Sequence, residues 1–114
     1  MRKQNIENAA YEVATQIRAV EDSIDAALAE LADLQSKMVH ARTATGVGFA
    51  TSHAAFEQLA TATSGLVAAR GGVASCHTAL VETKRFIPGL RTTSFGEGDE
   101  CPPKAAAMGL RVVA

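Results

Sequence analysis

The chain has 114 residues and a mass of 11.8 kDa, and 47% of it is hydrophobic. That share is inflated by 23 alanines, and only five residues are aromatic: Tyr11, Phe49, Phe56, Phe86 and Phe95. So few bulky side chains cannot fill a broad core, which argues against an ordinary α/β enzyme and for helices packed along narrow seams. Eleven basic and twelve acidic residues leave a net charge of −1, so the overall charge does not point to a phosphate-binding surface, and no nucleic-acid partner is expected.

The first predicted element is a helix over about 5–42. Apolar residues recur in alternating steps of three and four at Ile6, Ala10, Val13, Ile17, Val20, Ile24, Ala27, Leu31, Leu34, Met38 and Ala41. This is a heptad seam. The intervening positions carry Glu7, Glu12, Arg18, Glu21, Asp22, Asp25, Glu30, Asp33 and Lys37, the composition of a solvated face. Glycine and proline are absent from 1–42.

Residues 43–51 contain Gly46 and Gly48 among β-branched residues and predict a loop. A second helix follows over about 52–87, with its stripe at Ser52, Ala55, Leu59, Ala62, Leu66, Ala69, Val73, Cys76, Leu80, Thr83 and Ile87. The stripe keeps phase across Gly71-Gly72, which predicts one continuous helix despite a cost of about 1 kcal/mol per glycine. Pro88-Gly89 ends it. Two stripes of equal length joined by a short connection predict an all-α fold, a long antiparallel two-helix hairpin spanning 1–87. Its expected seam is Ile17, Ile24, Leu31, Met38, Ala62, Leu66, Ala69, Val73 and Cys76, with Ile17 opposite Cys76 and Ile24 opposite Ala69.

One seam does not account for the scarcity of charge in residues 43–81, which hold only Glu57 and Arg70. Beside the seam, the second helix repeats Ala60, Val67, Ala74 and Val81 at heptad spacing, and Gly65 and Gly72 lie on its other flank. Small residues three and four apart permit close approach by another helix. These six positions are the expected interface of a homo-oligomeric helical bundle. The remainder, 88–114, is a Gly-, Pro- and acid-rich extended tail with Phe95, Leu110, Val112 and Val113 as anchors for docking on a neighbouring subunit.

Residues 58–81 carry Arg70, two glycines and several polar side chains, too polar for a membrane span. The N-terminal residues lack the apolar core of a signal peptide, so synthesis in the cytoplasm is expected, with Cys76 and Cys101 reduced. Cys76, placed on the seam, is expected to be a buried structural thiol. His40 and His53 flank the loop without enough local carboxylates for a metal site. Gly46-Val-Gly48 lacks the Lys-Ser/Thr of a phosphate loop, and no nucleophile–base–orienter set can be assembled. The sequence therefore predicts no catalytic residue, metal or cofactor. It predicts a structural assembly protein that binds itself and another structural protein, as in a phage virion or other repeating particle. The alternative is a small adaptor, chaperone or regulator that binds a different protein through its second helix.

Overall fold

A computed structural model describes residues 2–90. It contains two long α-helices, α1 (Arg2–Thr45) and α2 (Phe49–Thr83), and a single 3₁₀ turn, η1 (Lys84–Phe86). The fold is an all-α antiparallel hairpin, with no strand among the described residues. The expected tail anchors Phe95, Leu110, Val112 and Val113, and Cys101 with them, lie outside the described residues.

The loop is shorter than its glycines suggested, because only 46–48 are non-helical. Gly46 adopts φ +73° and its N–H donates to the Arg42 carbonyl at 3.0 Å, a left-handed cap that ends α1. The first bond of α2 follows almost at once, from Ser52 N–H to the Gly48 carbonyl at 3.2 Å. Thr43 and Thr45, counted as loop-forming in the sequence, are helical; their hydroxyls donate back to the Val39 and Ala41 carbonyls. The α2 helix runs unbroken through Gly71-Gly72.

By packing, the described residues divide into two units, Asp22–Gly72 and a terminal unit that joins 2–21 with 73–90. The core of the terminal unit is Ala10, Ala14 and Leu90, against which Ile6, Leu80, Val81 and Ile87 pack. Leu90 reaches that core through a turn. Ile87 is extended, as a residue before proline must be. Pro88 and Gly89 then form the corner, with Gly89 at φ +92° and Leu90 N–H donating to the Ile87 carbonyl at 3.1 Å. In the Asp22–Gly72 unit the buried residue is Leu59, with Ile24, Leu31, Met38 and Leu66 half-buried.

Candidate interaction surface

Within each unit a polar pair marks one side of the seam. In the terminal unit, the half-buried His77 Nδ1 lies 2.9 Å from Glu21 Oε2. A carboxylate only accepts, so Nδ1 carries the proton. In the Asp22–Gly72 unit, Arg70 Nε donates to Asp25 Oδ1 at 2.8 Å. That hydrogen bond from Arg70, reinforced by its charge, holds the Asp25 carboxyl below the ordinary aspartate range.

These pairs settle how each helix is turned. On α1, the line through Ala10, Ile17, Ile24, Leu31 and Met38 is buried or half-buried, and so is the neighbouring line of Glu7, Ala14, Glu21 and Leu28. On α2 and the turn that follows it, the corresponding lines are Leu59, Leu66, Val73, Leu80 and Ile87, with Phe56, Thr63, His77 and Lys84 beside them. The flanks expected to complete the seam lie on the other side. Val13, Val20 and Leu34 are 42, 37 and 47% exposed. Ala62, Ala69 and Cys76, three of the expected seam residues, are exposed, and Cys76 is a free thiol on the surface, not a buried one. In the terminal unit Glu21 reaches His77 and not the level of Gly72, whereas in the other unit Asp25 meets Arg70, next to the expected level of Ile24 and Ala69.

The physical reason is that a three-four pattern fits two rotations of a helix about 50° apart. Hydrophobicity alone favours Val13, Val20 and Leu34 inside. Packing places the smaller Ala14 at the contact, buries Leu28 and Phe56 in part, and lets Glu21 and Asp25 find hydrogen-bond partners across the seam.

The side away from the polar pair therefore leaves large apolar side chains of α1 uncovered, two in the terminal unit and one in the other, beside a trough of small residues on α2. These are Val13 and Val20 in the terminal unit and Leu34 in the other. The trough is Cys76 and Ala79 in the terminal unit, and Ala62, Gly65, Ala69 and Gly72 in the other, all exposed. Of the six positions expected to form an interface, Gly65 and Gly72 belong to this trough. Ala60, Val67 and Ala74 are exposed on the opposite flank of α2, with Val67 53% exposed, while Val81 packs partly against the core.

The glycines are informative. A Cβ at Gly65, Gly71 or Gly72 would meet nothing within 4 Å outside the local helix. None of the three has a positive φ. Nothing in the described chain therefore requires glycine at these positions, although each weakens the helix by about 1 kcal/mol relative to alanine.

The terminal unit also holds an open apolar cleft of about 320 Å³, walled chiefly by Ile6, Ala10, Val13, Leu80, Ile87 and Leu90, with the buried stem of Lys84 at its edge. Sequence reasoning missed Leu90, although an apolar residue straight after Pro-Gly is a usable signal for a chain turning back on itself. Among the described residues there is no group of three or more His, Cys, Asp or Glu placed to hold a metal. No helix among them is long and apolar enough to cross a membrane. No protein-family model, curated protein or solved structure matches the chain.

Proposed function

We propose that the protein is a non-enzymatic assembly component, a helical hairpin that associates with further copies of itself through the trough and the uncovered apolar side chains beside it. The observation that carries this reading is the row of exposed small residues on α2 that includes Gly65 and Gly72, with open space where their side chains would be. Helix-interior glycines that nothing in their own chain needs suit the close approach of a second helix. Leu34, exposed on α1 in the same unit, offers a side chain that the trough of a second copy could take, the reciprocal contact that a two-fold interface uses.

A second exposed line, Ala60, Val67 and Ala74, lies on another flank of the same helix. A subunit with two separate contact faces can extend an assembly beyond a closed dimer. This supports a structural part of a repeating particle over a regulator that acts as a single copy.

Light scattering on the purified chain across a wide concentration range tests the reading. The expected mass is a discrete multiple of 11.8 kDa, reduced towards the monomer when Gly65 and Gly72 are both replaced by leucine. A monomeric mass at every concentration overturns self-association and assigns the exposed face to a different protein.

A further inference from the structure

The turn end of the Asp22–Gly72 unit carries a patch that self-association does not use. Here the chain reverses through residues 46–48, and Val39, Val47 and Phe49 are 49, 40 and 76% exposed. A lone exposed apolar residue is ordinary. Val47 and Phe49 lie at one turn, with Val39 about two helical turns back along α1, and the aromatic ring is nearly bare.

The ring is also held in a defined setting. The Arg42 guanidinium lies 5.6 Å from the Phe49 ring centroid, and Arg42 Nη1 donates to the Val47 carbonyl at 3.3 Å. One cation thus bridges both apolar residues of the apex. The surrounding sequence has a single sign of charge. From Leu34 to Phe56 there is no aspartate or glutamate, whereas Lys37 and Arg42 are both cationic.

We propose that this apex docks on an anionic lipid surface, with Phe49 and Val47 entering the boundary between headgroups and acyl chains and Arg42 and Lys37 lying among the headgroups. Aromatic rings and long cationic side chains both favour that depth, the first with its body in the apolar layer and the second with its charge in the polar one. The cation-only stretch complements anionic headgroups. A turn apex projects outward, and a deformable surface can receive it without a preformed groove. Two cations and two apolar side chains make each contact weak, so several linked copies would bind far more firmly than one. The proposal does not depend on self-association, which is read separately below.

The chain contains no tryptophan, so Phe49→Trp provides a reporter at the apex. The expected result is a blue shift of its emission with vesicles of phosphatidylcholine and phosphatidylglycerol, and none with phosphatidylcholine alone. The unaltered protein should co-float with the anionic vesicles. Lys37→Glu should weaken that binding roughly thirty-fold, the loss of one attraction and the gain of one repulsion. Phe49→Ser, at a position too exposed to disturb folding, should abolish it.

Unchanged emission on adding anionic vesicles, or co-flotation that survives Phe49→Ser, overturns the proposal. A blue shift that grows with protein concentration without lipid would make the apex a contact between copies, and binding to polyglutamate but not to vesicles would make it a site for acidic protein; both overturn it. Light scattering of the Phe49→Trp chain reports on self-association in the same samples, so failure of one reading is distinguishable from failure of the other.

Discussion

At the scale of single residues, the packing of the terminal unit depends on how the chain leaves α2. Proline at 88 fixes one corner of the turn, and Gly89 at φ +92° fixes the other in a region where a side chain is strained. Leu90 is thereby turned back to 3% exposure against Ala10 and Ala14. Alanines present a flat surface on which a leucine can lie close. Replacing Leu90 with alanine should lower the unfolding free energy by about 2 kcal/mol, the low end for a leucine truncation because the adjoining cleft is already open. Gly89→Ala should cost a similar amount, about 1–2 kcal/mol, by backbone strain. Its nearest neighbour would be Lys3 Cγ at 4.0 Å, an ordinary contact. Both variants remove one local arrangement, so their effects should not add. Urea unfolding at fixed protein concentration checks this; midpoints equal to that of the unaltered chain would show that the turn contributes nothing to stability.

At the scale of the elements, the polar pairs have more influence than their exposure suggests, because they accompany a rotation that the apolar pattern alone disfavours. The His77–Glu21 pair is the better shielded. A double-mutant cycle using Glu21→Ala and His77→Ala should give a coupling of about 1 kcal/mol. A coupling within error of zero would mean that the rotation is set by packing alone. The hairpin itself was legible in the sequence, since the long three-four stripes, the glycines at 46 and 48 and the proline at 88 all point to the same two helices. The rotation was not. The apolar pattern pointed the other way, since the line of Val13, Val20, Ala27 and Leu34 is wholly apolar, whereas the line of Ala14, Glu21 and Leu28 that packs is not. The deciding contacts join residues such as Asp25 and Arg70, far apart in the chain and individually unremarkable. Threonine misled for a related reason: Thr43 and Thr45 read as loop residues because their branching and polarity disfavour helices, yet each hydroxyl is satisfied by the carbonyl four residues before it.

At the scale of the whole molecule, a two-helix protein with Ala10, Ala14, Ile17, Leu59 and Leu90 as its buried apolar residues has little interior among its described residues. Small folds of this kind usually depend on a staple or on association. The three α2 glycines separate those alternatives, because the same substitution has opposite consequences according to where a partner lies. Gly71 points away from the trough at helical spacing, while Gly65 and Gly72 lie within it. Gly71→Ala should raise the melting temperature at every protein concentration, through a helix-propensity gain of about 1 kcal/mol. Gly65→Ala and Gly72→Ala should do the same only in dilute solution, where the chain is dissociated. At higher concentration each added methyl would hold the facing helix away, so the rise in melting temperature with concentration that marks an associating protein should flatten. Melting curves recorded over a hundred-fold range of concentration distinguish the cases. If all three glycines behave alike, the trough is not where copies meet, and the glycines at 65 and 72 have some other cause.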